Sequence, residues 1–305
     1  MLEVMDVSGL VTFQDSGRHG WQRFGVPVSG PMDWFAYQAA NTLIGNSADA
    51  TVIEIGLGEV IFRPKQNCVL AVTGAGYEVS NYVWTFSLWT SFFVRAGWRV
   101  HVKKISGGNW AYLAVAGGFE TDSILGSRSA YLHGGLGSAI RTGDLLHIGK
   151  PSRELDKLAA RTFPVEKYMA YSQSPVIEVI AGPQKERFTE AGFQTFLNSD
   201  YVLSTLFDRM GYRLEGNSIS HSAGADLISE GMTMGSVQVP ANGKPIVMMA
   251  DAPTTGGYPK IANVIRADLP LLAQCQAEIS KIRFKETTVE KAQQKYRELV
   301  RLPSS

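Results

Sequence analysis

Residues 235–250 read Gly-Ser-Val-Gln-Val-Pro-Ala-Asn-Gly-Lys-Pro-Ile-Val-Met-Met-Ala. Successive side chains on a strand alternate, so Val237 and Val239 share one face and Gln238 points to the other. Asn242-Gly243 suits the left-handed backbone of a tight turn and predicts a hairpin returning along Pro245 to Ala250. The same antiparallel texture recurs through the chain, in Val60-Ile61-Phe62, Val69-Leu70-Ala71-Val72, Arg99-Val100-His101-Val102 and Tyr112-Leu113-Ala114-Val115. These short β-branched and aromatic runs are punctuated by 31 glycines, which predicts sheets or barrels.

Three helices stand against this background. Asp33 is placed to cap a helix with Phe35, Ala39 and Leu43 on one face, stopped by Gly45-Asn46. A less regular helix is expected over 184–198, carrying Phe188, Ala191, Phe193 and Phe196. A terminal helix over 289–299 would turn Val289, Ala292, Tyr296 and Leu299 inward. The polar segment 152–174, interrupted by Pro164, predicts a boundary between an N-terminal β-rich domain (residues 1–151) and a C-terminal β-rich domain (residues 175–305).

Composition narrows the function. The formal charge is +1 over 305 residues, which gives no electrostatic case for nucleic acid or an anionic membrane. The most apolar stretch, Tyr82 to Val94, is 13 residues long, whereas a bilayer needs ~20. Cys68 and Cys275 are read as two buried thiols of a cytoplasmic protein. The five histidines lack ligand spacing, so no metal is expected. Gly74-Ala75-Gly76 follows a strand but lacks the third glycine and the helix of a dinucleotide site.

Two segments are dense in special residues. Gln14, Asp15 and Arg18 follow a strand in a glycine-freed loop, Gln14-Asp15-Ser16-Gly17-Arg18-His19-Gly20. Such a loop can hold a small polar substrate through bidentate arginine contacts, or lock a turn through an Asp15–Arg18 pair. Asp208-Arg209-Met210-Gly211, Ser229-Glu230-Gly231, Gln238 and Asp251-Ala252-Pro253-Thr254-Thr255-Gly256-Gly257-Tyr258-Pro259 form the second. Arg209 suits a carboxylate or phosphate. Thr254, Thr255, Gly256 and Gly257 offer hydroxyl and N–H donors to an anion or carbonyl oxygen. Tyr258 can stack on a planar ligand, and Glu230, Gln238 and Asp251 are candidates to orient substrate or move protons. The alternative is a tightly turned barrel corner in which Asp251 accepts backbone bonds.

These segments carry a resemblance. Gln14-Asp15-Ser16-Gly17-Arg18, Gly30-Pro31-Met32-Asp33, Ala40-Asn41, Gly45-Asn46, Thr73-Gly74-Ala75, Tyr112 to Gly118 and Gly126-Ser127-Arg128-Ser129 resemble the KipA/PxpC family. Gly182-Pro183-Gln184, Asp208-Arg209-Met210-Gly211, Ser229-Glu230-Gly231, Gln238-Val239-Pro240 and Thr254-Thr255-Gly256-Gly257-Tyr258-Pro259 continue it, in order, from residue 8 to residue 285. Family members are described as the PxpC-type subunit of bacterial 5-oxoprolinase and as the allophanate hydrolase subunit 2-like half of biotin-dependent carboxyltransferase domains.

The resemblance implies a mainly β chain with a few helices, built as two cyclophilin-like β-barrel-type halves. It implies hydrolysis of 5-oxoproline to glutamate, with ATP at a shared subunit interface and with KipI/PxpB-type and LamB/YcsF-type partners. It equally implies two alternatives: a carboxyltransferase whose biotin arrives on another protein, or a non-catalytic regulator that antagonises a KipI-like kinase inhibitor. The Arg209 to Pro259 region would then be one wall of a site completed by Gln14 to Arg18 and a partner chain. The sequence departs from the pattern at Pro253, where Gln is common, at Ala130, where Thr is common, and in a shortened stretch, Gly134 to Asp144. Pro253 removes a side-chain amide and a backbone N–H together.

Overall fold

The computed structural model describes residues 1–301. Among these described residues the chain is mainly β, with five α-helices. The chain divides into two compact units, one of residues 1–19 and 29–170, the other of residues 20–28 and 171–301.

The first unit is a ten-stranded sheet. Its strands are β1 (Leu2–Gln14), β2 (Val52–Pro64), β3 (Cys68–Gly74), β4 (Tyr77–Ser80) and β5 (Thr85–Phe86). They continue with β6 (Thr90–Val94), β7 (Val100–Lys104), β8 (Trp110–Val115), β9 (Phe119–Glu120) and β10 (Leu145–Ile148). The sheet forks at β2: Ile53 to Gly56 pair with β8, and Glu59 to Phe62 pair with β7. Gly58 sits at the fork, where a Cβ would lie 2.0 Å from the Ser8 carbonyl oxygen, so only glycine fits between β1 and β2. The core inside this sheet includes Ile53, Val60, Phe62, Leu70, Val72, Val102 and Leu113. Burying each such side chain contributes about 1.5–3 kcal/mol.

Helix α1 (Trp34–Leu43) begins where the sequence places it, with the Ala36 N–H donating to Asp33 Oδ1 at 2.9 Å. Phe35, Ala39 and Leu43 are all buried. Gly45, at φ 66°, turns the chain out. The segment from residue 152 to 170 belongs to the first unit, with the short α2 (Leu155–Leu158) inside it. The stretch 134–144 runs back along β1, where the Ile140 N–H donates to the Val11 carbonyl at 2.8 Å.

The second unit contains a closed seven-strand barrel in the order β11-β18-β15-β16-β13-β12-β19. These strands are β11 (Val176–Ala181), β12 (Asp200–Phe207), β13 (Gly211–Glu215), β15 (Ser236–Gln238), β16 (Ile246–Met248), β18 (Lys260–Val264) and β19 (Lys281–Glu286). All neighbouring pairs are antiparallel except β11–β19. Alternation fills the barrel: Tyr212 and Leu214 point in from β13, Ile282 and Phe284 from β19. Two further short strands, β14 (Glu230–Gly231) and β17 (Thr255–Gly256), pair outside it.

The expected hairpin forms, with Val237 opposite Val247 and Gln238 opposite Ile246. Its loop is longer than a two-residue turn, because the Gly243 N–H closes on the Pro240 carbonyl at 2.9 Å before β16 starts. The expected helix over 184–198 is split. A 3-10 turn covers Lys185–Arg187, and α3 (Glu190–Asn198) starts only after Thr189, whose hydroxyl caps the Gly192 N–H. Phe196 of α3 stacks on Phe284, with centroids 4.5 Å apart. After α4 (Leu269–Ala273) the terminal helix α5 (Val289–Val300) buries Leu299. Val289, expected inward, is exposed; Lys295 instead anchors this helix through Asp268 and Glu178. No helix among the described residues is long and apolar enough to cross a membrane.

Candidate functional site

In the first unit the loop after β1 is locked from within. Asp15 Oδ1 accepts the hydroxyls of Ser127 and Ser129, each at 2.6 Å, and Oδ2 accepts the Arg128 N–H at 2.6 Å. The Gly17 N–H adds a bond at 3.0 Å. Burial alone would raise the Asp15 pKa, but these donors outweigh it and hold the carboxyl below its usual range. Arg18, almost wholly buried, donates to the carbonyls of Ile124 at 2.9 Å and Ser129 at 2.8 Å. The expected Asp15–Arg18 alternative is therefore replaced by two separate attachments to residues 124–129. Gln14 Nε2 donates to Thr12 Oγ1 and to the Ala130 carbonyl, which fixes the orientation of its amide.

In the second unit the expected residues form two groups. Arg209 and Asp251 make a two-point ion pair, Nε to Oδ2 at 2.8 Å and Nη2 to Oδ1 at 3.0 Å. Both side chains are buried. The Asp251 N–H also donates to the Arg209 carbonyl at 2.7 Å, so the pair staples the end of β16 to the start of β13. Its two-point geometry commits the Asp251 carboxylate to the guanidinium and favours an architectural use of both.

Glu230 and Gln238 belong to the other group. β14 pairs with β17, Glu230 opposite Gly256 and Gly231 opposite Thr255. This brings Glu230 over β18, where Lys260 Nζ reaches its Oε2 at 3.1 Å and the Gly231 carbonyl at 3.1 Å. The Lys260 side chain is 8% exposed and that of Glu230 50%. Gln184 completes the frame, with Nε2 donating to Glu230 Oε2 at 2.7 Å and Oε1 accepting the Lys260 N–H at 3.1 Å. Gln238 lies opposite Lys260 in the ladder and donates to the Tyr258 carbonyl at 3.1 Å.

Within the Thr254 to Gly257 loop, Thr255–Gly256 form the two-residue edge strand β17. Neither Gly256 nor Gly257 has a positive φ, so the N–H groups do not converge into the concave anion cradle that left-handed glycines make. Gly256 also permits close approach. A Cβ on Gly256 would lie 2.6 Å from Gln238 Nε2 and 3.1 Å from Met232 Sδ. Thr255 and Tyr258 are exposed beside half-exposed Glu230, as is Pro253.

Lys260 is the functional candidate that sequence reading passes over. A lysine directly after Pro259 at the start of a strand reads as a surface residue, and nothing local links it to Glu230. Chemically the group offers a fixed ammonium, a carboxylate open to solvent, and a buried amide, Gln184, that holds the carboxylate. Two of the three ammonium hydrogens are spent on Glu230 and Gly231, and no third acceptor occurs among the described residues. A carbonyl or carboxylate oxygen can take the third.

Comparison with known proteins adds the following. The family model described as "Carboxyltransferase domain, subdomain A and B" matches residues 24–286. The chain is 39% identical over 281 residues to the C-subunit of 5-oxoprolinase from Escherichia coli (strain K12), covering 90% of this chain and 87% of that protein. It is 35% identical over 297 residues to the C-subunit of 5-oxoprolinase from Haemophilus influenzae, covering 96% and 93% respectively. Among solved structures it superposes on the Kluyveromyces lactis urea carboxylase with a TM-score of 0.89 over 98% of this chain. That likeness, at 24% identity, is one of fold, and it spans 29% of the larger protein.

Proposed function

This chain belongs to the carboxyltransferase-domain family of joined subdomains A and B, and we propose that it serves as the PxpC-type subunit of an ATP-dependent 5-oxoprolinase. In this reading it hydrolyses the lactam of 5-oxoproline to glutamate together with KipI/PxpB-type and LamB/YcsF-type subunits, and is inactive alone. The observation that carries the reading is the 39% identity to a 5-oxoprolinase C-subunit, sustained over 87% of that protein's length.

A lactam carbonyl is a weak electrophile, and bound ATP would supply the activation by transferring its γ-phosphoryl group to the amide oxygen, with ADP as the leaving group. The Thr254–Gly257 loop lacks the left-handed glycines of a phosphate cradle, so no phosphate contact is assigned to it; in this reading ATP binds at a shared subunit interface. The chain's own part is polar positioning. Lys260 donates to the substrate's carbonyl or carboxylate oxygen and stabilises negative charge that builds there. Glu230, open to solvent yet tethered by Gln184 and Lys260, takes a proton from the attacking water. Gln238 fixes the backbone of Tyr258, whose exposed ring covers the planar lactam. The test is ATP-dependent glutamate formation from 5-oxoproline by the complete set of subunits. Absence of turnover by that set rejects the proposal.

A second reading is favoured by the urea carboxylase fold likeness: a carboxyltransferase component whose biotin arrives on another protein. A biotinylated protein co-purifying with this chain, detected with streptavidin, would select it.

A further inference from the structure

Residues 80–86 read Ser-Asn-Tyr-Val-Trp-Thr-Phe and lead into the most apolar stretch of the chain, 82–94. Later members of that stretch serve the core of the first unit. Phe92 and Val94 are buried in it, Phe86 and Leu88 pack against it, and Phe86 stacks on Phe92 with centroids 4.2 Å apart. The opening of the stretch does the opposite. Ser80 pairs with Thr85, so residues 81–84 form the loop of the β4–β5 hairpin. There Tyr82 is 63% exposed, Val83 74% and Trp84 55%. Single exposed apolar residues are ordinary, but consecutive large ones on a loop tip make a contiguous patch, the mark of an interaction surface.

The tip is held in shape. Asn81 Oδ1 accepts the N–H of Val83 at 3.1 Å and of Trp84 at 2.8 Å, and the Asn81 N–H donates to the Trp84 carbonyl at 3.0 Å. Tyr82 sits at φ 70°, a left-handed conformation that a bulky residue adopts only where its surroundings impose it. Trp84 rests against Trp98, ring centroids 5.4 Å apart, and the Arg95 guanidinium lies 5.7 Å from the Trp98 ring. Side chains fixed before contact lose little freedom on binding.

Charge at the patch is one-sided. Arg95 and Arg99 bracket Trp98 in the chain and are exposed, and neither has a carboxylate partner among the described residues. The neighbouring charges are already matched. His101 Nε2 meets Glu59 Oε2 at 2.9 Å, and Lys103 stands opposite Glu59 on one side and Glu78 on the other.

We propose that this aromatic tip is a docking surface for a different protein chain, one presenting an apolar groove rimmed by carboxylates. Trp, Tyr and Arg are the side chains that dominate protein–protein contacts, and two unmatched guanidiniums select acids across the interface. A second copy is disfavoured, because a two-fold contact would set the same cations against each other. A lipid surface is disfavoured too, since electrostatic capture of anionic lipid takes about four to eight clustered cations. The choice of partner rests on the reaction proposed above: the chain sought is one of the other subunits of that assembly.

The test is calorimetric titration of the full-length chain with the KipI/PxpB-type subunit and, separately, with the LamB/YcsF-type subunit. One of them is expected to bind wild type, and to bind Trp84→Ser and Val83→Asp at least about tenfold more weakly. Arg95→Glu should weaken binding by a similar factor and flatten its dependence on salt. Arg95 lies outside the hairpin, so its variant carries the test should a tip variant unfold. Sedimentation of the chain alone and flotation with phosphatidylglycerol vesicles run alongside. Three results overturn the proposal. They are no binding of either subunit, affinities within about twofold of wild type in all three variants, and self-association or vesicle binding that Trp84→Ser removes while subunit binding is unchanged. Glutamate formation by the complete set separates this inference from the reaction. Turnover with variants that bind as wild type does removes the docking surface alone, and tip-dependent binding without turnover removes the reaction alone.

Discussion

Lys260 Nζ lies 3.1 Å from Glu230 Oε2, a buried ammonium against a carboxylate that is half open to solvent. In the proposed reaction the shielded ammonium donates to a substrate oxygen and the open carboxylate takes the proton. Lys260→Met should abolish 5-oxoproline turnover in the assembled enzyme while lowering stability by only about 1–2 kcal/mol, since Glu230 can rehydrate. Lys260→Arg keeps the charge and should retain part of the activity. Steady-state kinetics beside thermal melts would check this. Full turnover by Lys260→Met would remove Lys260 from the site.

Arg209 and Asp251 should behave differently. Their two-point pair is buried on both sides, so Asp251→Asn or Arg209→Met strands a charge or its partner and should cost about 3–5 kcal/mol. The double variant Arg209→Met with Asp251→Leu should recover a large part of that loss. Urea unfolding curves of the three variants measure it. Stability unchanged in either single variant, with activity lost, would return the pair to a direct catalytic role.

Gly256→Ala tests close approach at the edge strand. The new methyl would meet Gln238 Nε2 at 2.6 Å. Gln238 can move away only by giving up its bond to the Tyr258 carbonyl, worth about 0.5–1.5 kcal/mol. The expected outcome is a raised KM with a small fall in melting temperature, read from substrate titration and calorimetry.

Asp15 sets an acid limit on the first unit. Its carboxyl is held below the usual aspartate range despite burial, by Arg128, Ser127, Ser129 and Gly17. A folded-state pKa below the unfolded one contributes stability above the unfolded value, and that contribution is lost as pH falls through the folded value. Wild type should therefore exceed Asp15→Asn in stability at neutral pH, and the gap should close at pH below the ordinary aspartate range. Urea midpoints measured across that range report the slope. A gap independent of pH would show that the loss comes from geometry alone.

The two cysteines offer a simple check of packing. Both are free and buried, and burial pushes each thiol up to about 12. Neither should react with a thiol reagent at neutral pH until the chain is unfolded.

Much of the fold is legible in the sequence because its cause is local. Alternation along Val237, Gln238 and Val239, the Asp33 cap and the Gly45 stop each act within a few residues, and each appears where the pattern puts it. The start of α3 is displaced because Thr189 outcompetes the apolar periodicity before it as a cap. The site is less legible because its contacts are not local. Lys260 meets Glu230 across 30 residues through the registers of two separate ladders. Asp15 is satisfied from residues 127–129, more than a hundred positions away. Short glycine-rich motifs mark both neighbourhoods, yet the motif alone does not show that Gly256 keeps a non-positive φ and lies where a Cβ would meet Gln238 Nε2.

The most direct measurement counts products. In an assembly containing this chain, 5-oxoproline and ATP should yield glutamate and ADP in equal amounts, independent of bicarbonate and biotin. ADP release that requires bicarbonate and a biotinylated partner, with no glutamate formed, would contradict the account.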